Sequence, residues 1–178
     1  MKTILKTDNG KAFSITLDPG LCFAMCLDMS KVLLEFLKYN KPKKLPVKGD
    51  LNDGKWSIVQ SAYEINDFNN DEKIIKAQNL DVLKSIGPIS SNGDIDKIVN
   101  TITSLSGIIV FGISGAKEGH ELMWKRDDKN KIWLYLDPNE GLIQFDSLSE
   151  AKKYIASDIK SSYNDLTNEF DGFVLELT

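Results

Sequence analysis

The stretch that decides the fold is residues 21–37, LCFAMCLDMSKVLLEFL. Its charged residues Asp28, Lys31 and Glu35 are spaced by three and then four positions, which places them along one narrow face of a helix. Nearly all the other positions are apolar. A helix that is apolar almost all round is buried in a core rather than laid on a surface. The stretch therefore predicts a central helix against which the rest of the chain packs.

The residues just before this helix predict where it begins. Asp18 is a favoured N-cap residue and Pro19 a favoured first-turn residue, so Cys22 would lie in the first turn. Unpaired N–H groups and the positive end of the helix dipole favour a thiolate there, while Gly20 leaves room for a substrate backbone. Cys22 is therefore a candidate nucleophile, the alternative being a small apolar core residue. Cys26, one turn further on, is predicted to be a core residue.

Periodicity places helices mainly in the first half of the chain and strands in the second. Helices are predicted at residues 56–65, 72–86 and 94–105, the second ended by Gly87-Pro88. From Gly107 onwards the period changes, and strands are predicted at residues 108–113, 119–125, 131–136 and 142–145. An extended lead-in at residues 12–17, a helix opened by the capping box at residues 147–150 and a last strand at residues 173–177 complete the pattern. Helices followed by antiparallel strands predict an α+β fold, in a single domain of residues 1–178.

The composition narrows the class of protein. A chain of 178 residues can bury one good core, and its formal net charge of -4 gives no basic surface for nucleic acid. No run of about 18 apolar residues is present, so we expect no integral membrane segment. The two cysteines lie four residues apart on one predicted helix. We therefore expect free thiols and no disulfide framework.

The single histidine of the chain, His120, is the only candidate base for cysteine chemistry. A hairpin turning at residues 127–130 would set Trp124 opposite Trp133 and His120 opposite Asp137. Directly opposed side chains have Cβ atoms about 4.5–5.5 Å apart, close enough for a carboxylate to hydrogen bond an imidazole. Cys22, His120 and Asp137 are thus predicted as nucleophile, base and orienting carboxylate.

The faces of the predicted hairpin suggest how the histidine would meet the cysteine. His120 shares its face with Leu122 and Trp124, and we expect that face to pack on the central helix. The start of the helix, with Cys22, would then meet the sheet edge that carries His120. The alternatives are a purely structural histidine and, for residues 137–141, an ordinary turn, which is compatible with holding a carboxylate rigidly.

A metal site is the other chemistry that these residue types allow. Cys22, Cys26, His120 and Asp137 are all possible zinc ligands, but they lack the paired spacings typical of zinc sites. We therefore predict no metal and no cofactor.

Three short segments resemble the YopT/AvrPphB family of bacterial effector cysteine proteases. They are Gly20-Leu21-Cys22 opening an apolar helix, Gly119-His120 on a strand, and Asp137-Pro138-Asn139-Glu140-Gly141. The resemblance implies a papain-like fold and a triad of Cys22, His120 and Asp137, with Asn139 and Gly141 as matching turn residues. The sequence departs from the family at Glu121, where a small apolar residue is usual. No glutamine precedes Cys22 at the spacing of a papain-type oxyanion donor.

The resemblance also implies a function: a thiol endopeptidase that acts in virulence and cleaves a protein of a host or target cell. The first residues, MKTILKTD, lack the apolar stretch and cleavage site of a secretory signal. We therefore expect synthesis in a bacterial cytoplasm and secretion or translocation by a route without a classical signal peptide. Two alternatives use the same triad, a glutamine deamidase and a peptidoglycan amidase. A third is a non-catalytic binding protein on this scaffold, such as an immunity or adaptor protein.

Overall fold

The computed structural model describes residues 1–7, 21–65 and 71–178 of the chain. The predicted lead-in at residues 12–17 and the predicted cap Asp18-Pro19-Gly20 lie outside these residues. Helix α1 (Cys22–Lys38) has Leu21 in the N-cap position, without a capping hydrogen bond from the side chain of that residue. Cys22 is therefore in the first turn, as predicted.

The described strands form one sheet of seven strands in the order β1-β6-β5-β4-β3-β7-β2, and all neighbours are antiparallel. The sheet is built mainly from residues after Gly107, as predicted, and the unpredicted strands β1 and β2 form its two edges. The strands are β1 (Lys2–Leu5), β2 (Leu80–Ser90), β3 (Gly107–Ser114), β4 (Gly119–Asp127), β5 (Ile132–Asp137), β6 (Gly141–Phe145) and β7 (Glu169–Leu177).

Helices cover both faces of this sheet. Besides α1, they are α2 (Trp56–Ile65), α3 (Asp71–Ala77), α4 (Ile95–Ser104) and α5 (Leu148–Ser162). Helices α1, α2 and α3 share one apolar cluster with strand residues such as Val110 and Met123. Helices α4 and α5 share a second cluster with strand residues such as Phe111 and Trp124. The predicted central packing of α1 on an antiparallel sheet is confirmed.

Side-chain caps begin two helices, and the one at Ser147 was predicted. The Asp94 carboxylate accepts a hydrogen bond from the Lys97 N–H at 3.0 Å at the start of α4. Ser147 Oγ accepts one from the Glu150 N–H at 3.1 Å at the start of α5. Each bond satisfies an N–H that lacks a partner within its own helix, which is why these residues fix the helix starts.

The face assigned to His120 is the first correction. Leu122 and Trp124, which share that face, pack with α4 and α5, whereas Met123 on the opposite face packs with α1. Strand β4 has large buried side chains on both faces, Met123 and Lys125 on one and Leu122 and Trp124 on the other, so its sequence does not reveal which helix each face meets. The apolar stripe of α4 is buried against one face of the sheet, and that face carries Leu122 and Trp124.

The predicted helix at residues 72–86 is the second correction. Helix α3 ends at Ala77, Asn79 has a left-handed φ of 60°, and Leu80–Ser90 form the edge strand β2. The pairing with β7 shifts between Val82 and Lys84, and the intervening Leu83 is 62% exposed. This bulge interrupts the alternation of a strand, so the apolar residues acquire a spacing that imitates a helix.

Candidate active site

The imidazole of His120 and the carboxylate of Asp137 are joined by a buried hydrogen bond. His120 Nε2 donates to Asp137 Oδ1 at 3.0 Å, and the two side chains are only 7% and 1% exposed. Because Nε2 is engaged, Nδ1 is the ring nitrogen available for proton exchange with a nucleophile. No hydrogen bond to Nδ1 is formed within residues 1–7, 21–65 and 71–178.

This contact forms although the predicted hairpin register is wrong. Trp124 pairs with Tyr135 rather than Trp133, because Asp127 still belongs to the strand and the turn falls one residue later. Asp137 is therefore diagonal to His120 instead of directly opposite. A displacement of two residues keeps every side chain on its predicted face, and diagonal neighbours remain within reach of each other.

The turn after Asp137 fixes the carboxylate. The Asn139 N–H donates to Asp137 Oδ1 at 2.9 Å, and the Glu140 N–H donates to the Asp137 carbonyl at 3.0 Å. Gly141 has φ of 125°, and a Cβ there would collide with the Leu5 carbonyl of strand β1. The Asp-Pro-Asn-Glu-Gly segment is thus a turn that also holds a carboxylate in place.

Tyr163, which the sequence did not single out, completes this cluster. Its ring stacks on the His120 imidazole with centroids 4.4 Å apart and planes inclined by 18°. Its hydroxyl lies 2.9 Å from Asp137 Oδ1 and 2.7 Å from Oδ2, and donates to that carboxylate. Burial and the charge of Asp137 raise the pKa of Tyr163, so the hydroxyl stays protonated.

Cys22 lies at the same end of strand β4 as His120. Its half-buried sulfur is next to the main chain of Glu121, the residue that follows His120, and next to the N–H groups of Cys22 and Phe23. In the described part of the chain no hydrogen bond joins the sulfur to the imidazole. The structure therefore brings His120 and Asp137 into direct contact and sets Cys22 beside the backbone that carries the histidine.

The expected lowering of the Cys22 pKa by the helix terminus is not observed. Burial, followed by the negative charge of Glu121, raises the pKa of Cys22 to about 12, although the main-chain amides of Glu121, Phe23 and Cys22 act in the opposite direction. A helix terminus lowers a thiol pKa through a partial charge. Here that contribution is outweighed by the cost of placing a thiolate in a buried, acidic environment.

Glu121 belongs to a group of acidic side chains on the α1 face. Gly112 lies between Glu121 and Asp171 on the two neighbouring strands, and a Cβ at Gly112 would come within 2.7 Å of Glu121 Oε1 and 3.1 Å of Asp171 Oδ1. Burial, together with the charges of Asp171 and Asp71, raises the pKa of Glu121 to about 8, and the hydrogen bond from Tyr63 opposes the rise. The Tyr63 hydroxyl donates to Glu121 at 3.1 Å.

The first turn of α1 is capped by a side chain from another helix. Gln60 of α2, 4% exposed, accepts a hydrogen bond from the Ala24 N–H at 3.2 Å. The Gln60 amide in turn donates to Glu64 at 2.9 Å. Capping from α2 therefore helps to fix the position of the Cys22 turn, where the Leu21 side chain supplies no capping hydrogen bond.

Cys26 is fully buried, as predicted for a core residue. Among the residues that the structure describes, no three histidine, cysteine or acidic side chains are arranged to hold a metal ion. None of the described helices is long and apolar enough to cross a bilayer.

The charge of Glu121 leads to a first prediction. Below about pH 8 its carboxyl is neutral, and above that pH its negative charge opposes a Cys22 thiolate. We therefore expect Glu121→Gln and the unchanged protein to be alkylated at Cys22 equally fast near pH 6.5, and the variant to react faster above pH 8. Each unit by which the thiol pKa falls raises the thiolate fraction about tenfold.

The measurement is the rate of iodoacetamide modification of Cys22 from pH 6 to pH 10, followed by mass spectrometry. The matched control is Glu118→Gln, an exposed carboxyl on the loop before β4, which should leave the profile unchanged. A slower Glu121→Gln protein, or profiles that coincide at all pH values, would show that Glu121 does not face the sulfur.

Comparison with solved structures identifies the fold. The Pseudomonas avirulence protein AvrPphB is similar to this chain with a TM-score of 0.58 at 14% sequence identity, over 88% of this chain and 92% of that chain. The predicted α+β, papain-like fold is thus confirmed. The resemblance to the YopT/AvrPphB proteins, first seen in three short segments, extends to the architecture of nearly the whole chain.

A second similar structure is PatoxP, a cysteine protease-like domain of the Photorhabdus asymbiotica toxin PaTox. It has a TM-score of 0.47 and 16% identity, over 97% of this chain and 53% of that chain. No protein-family model matches the sequence, and no curated protein matches it. The similarity to AvrPphB therefore lies in the fold and not in the overall sequence.

Proposed function

We propose that this chain is a papain-like cysteine protease that cleaves a protein substrate with Cys22, His120 and Asp137. The observation that carries the proposal is the buried 3.0 Å hydrogen bond between His120 Nε2 and Asp137, which leaves Nδ1 for the nucleophile. The position of Cys22 in the first turn of α1, beside the backbone of Glu121, supports it.

In the proposed reaction, the Cys22 sulfur attacks the substrate carbonyl carbon while its proton passes to His120 Nδ1. The carbonyl becomes an oxyanion. Nδ1 then gives the proton to the leaving amine as the C–N bond breaks, and a thioacyl enzyme remains. Water attacks that carbonyl and gives a proton to Nδ1. The C–S bond breaks, the acid product leaves, and the sulfur regains its proton from the imidazole.

The raised pKa of Cys22 determines when the proton moves. Because burial disfavours an isolated thiolate, we expect no stable population of thiolate before the substrate arrives. The sulfur becomes nucleophilic as His120 takes its proton, so the histidine acts as a general base. Asp137 keeps the ring in the Nε2–H tautomer and stabilises the imidazolium that forms.

The first turn of α1 offers donors for the oxyanion. The Ala24 N–H is used by Gln60, whereas the N–H groups of Cys22 and Phe23 face the sulfur. We propose that the Cys22 N–H donates to the oxyanion, in a region where the helix dipole also favours negative charge.

The cellular role rests on the sequence resemblance. We propose a bacterial effector that is delivered to a host or target cell and cleaves a protein there. A glutamine deamidase would release ammonia without cutting a chain, and a peptidoglycan amidase would cleave muropeptides. Either product, found with no cleavage of any protein, would contradict the protease proposal.

Covalent labelling tests the proposal without a known substrate. An epoxide inhibitor of thiol proteases, added at neutral pH, should label Cys22, with the site mapped by peptide mass spectrometry. Cys26 is the internal control: it is fully buried and its pKa is raised well above the usual value, so it should remain unlabelled. His120→Ala should slow the labelling strongly, because the sulfur loses its base.

Two outcomes would contradict the proposal. The first is preferential labelling of Cys26, which would mean that the nucleophile is wrong. The second is a folded protein in which neither cysteine reacts, which is what the non-catalytic binding protein predicts.

A further inference from the structure

We propose that Tyr163 is a positioning residue for His120, acting both through its ring and through its hydroxyl. The ring covers one face of the imidazole at a centroid distance of 4.4 Å, and the hydroxyl donates to Asp137, which itself holds Nε2. One side chain therefore contacts both partners of the buried hydrogen bond. The inference rests on the proposed function, in which the orientation of His120 determines the rate.

The direction of the hydrogen bonds around the phenol is fixed. Asn139 Nδ2 donates to the Tyr163 oxygen at 2.7 Å, so the phenol accepts on that side. Its own proton must then point to the Asp137 carboxylate, whose oxygens lie 2.7 and 2.9 Å away. The main-chain N–H of Asn139 donates to the same carboxylate at 2.9 Å. The chain of donors runs from Asn139 through Tyr163 to Asp137.

These contacts determine which nitrogen of the His120 imidazole carries the proton. With both carboxylate oxygens occupied by fixed donors, Asp137 cannot rotate away from Nε2. The stacked phenol ring restricts the imidazole to rotations within its own plane. The ring is therefore held as the Nε2–H tautomer, with Nδ1 as the acceptor that a cysteine thiol needs.

The backbone holds Tyr163 at the end of α5. Its N–H donates to the Ile159 carbonyl at 2.9 Å, and its carbonyl accepts from the Leu166 N–H at 2.9 Å. The residue is 8% exposed. Because α5 runs from the Ser147 cap to this residue, the length of the helix places the phenol over the imidazole.

The test exploits the fact that His120 is the only histidine of the chain. Nitrogen-15 NMR of the histidine-labelled full chain reports its tautomer, and the Nε2–H exchange rate reports how well the hydrogen bond is held. We expect the unchanged protein and Tyr163→Phe, which keeps the stack, to show the Nε2–H tautomer, with exchange faster in the variant. Tyr163→Leu, which loses both contacts, should show mixed tautomers and the fastest exchange.

We expect activity to decrease in the same order, from the unchanged protein to Tyr163→Phe and then to Tyr163→Leu. We expect kcat to fall about tenfold in Tyr163→Phe and further in Tyr163→Leu, with KM little changed, because Tyr163 contacts His120 and Asp137 rather than substrate. The matched control is Tyr154→Phe on the same helix, whose ring packs against Tyr135 and Phe145. It should leave both tautomer and kcat unchanged.

A purely structural role would lower the melting temperature without altering the tautomer or exchange of His120 in Tyr163→Phe, and that result would overturn the inference. Since Tyr163→Leu can destabilise the fold, the Phe variant alone is sufficient for this decision. Failure of the proposed function can be told apart from failure of this inference. If Cys22 is never labelled while the tautomers and Nε2–H exchange rates change as expected, the histidine is positioned as inferred but the protease proposal is wrong.

Discussion

Alanine at Cys22 or at His120 is expected to abolish turnover of a cleavable peptide, with a loss on the order of 10⁴-fold or more. Removing the sulfur removes the atom that forms the thioacyl bond. Removing the imidazole leaves a buried thiol whose pKa is about 12, so almost no thiolate is present at neutral pH. Because the two residues act as a unit, we expect the double variant to be no less active than either single variant.

The assay needs a substrate, and a library of peptides that covers a whole proteome supplies one while the target protein is still unidentified. Cys26→Ala is the matched control, since it removes the other thiol from the same helix. We expect it to retain activity and to lose only the stability that a small cavity costs, about 1 kcal/mol. Retained activity in Cys22→Ala, or loss only in Cys26→Ala, would show that the nucleophile has been wrongly assigned.

Asp137→Asn is expected to lower activity by at least ~10², the scale seen when the carboxylate of a triad is neutralised. An asparagine suits the turn and can accept the Asn139 N–H as the carboxylate does. Its amide, however, replaces one acceptor oxygen with a donor, in a place where His120, Tyr163 and Asn139 all donate. The imidazole then loses control of its tautomer.

The control for this substitution is Asp128→Asn in the β4–β5 turn, where the carboxylate is exposed and pairs with Arg126. We expect little change in activity there, because an exposed ion pair contributes little. If Asp137→Asn keeps nearly full activity with an unchanged melting temperature, the site is a Cys22/His120 dyad or the histidine has another partner.

The elements that sequence reasoning identified are those with a strong local signal. They are the apolar stretch of α1, the cap at Ser147 and the β-branched run of β3. In each case the local preference of the sequence agrees with the fold. The contact of His120 with Asp137 was also foreseeable, because it depends on which face each side chain takes rather than on the register of the hairpin.

The errors have a common physical origin in contacts between distant segments. Residues 72–86 were wrongly predicted to form one helix. A bulge opposite β7 places the apolar Leu83 in solvent, so its position in the sequence does not follow the alternation of a strand. Tyr163 is the residue at the C-terminal end of α5, and nothing in its neighbouring sequence indicates that it will stack on His120. The pKa of Cys22 depends on Glu121 and on burial, neither of which the first turn of a helix reveals.

The hairpin between β4 and β5 has a consequence for how such sites can diverge over evolution. His120 stands near the start of one strand and Asp137 at the end of the next, with the whole turn between them. If the turn keeps its four residues, inserting or deleting two residues between the histidine and the aspartate slides the carboxylate along the sheet but leaves it on the same side. A change of one residue, unless absorbed by a bulge or by a longer turn, moves it to the opposite side. Related chains that keep a four-residue turn should therefore vary in the spacing between this histidine and this aspartate by even numbers, a pattern that can be sought in sequences alone.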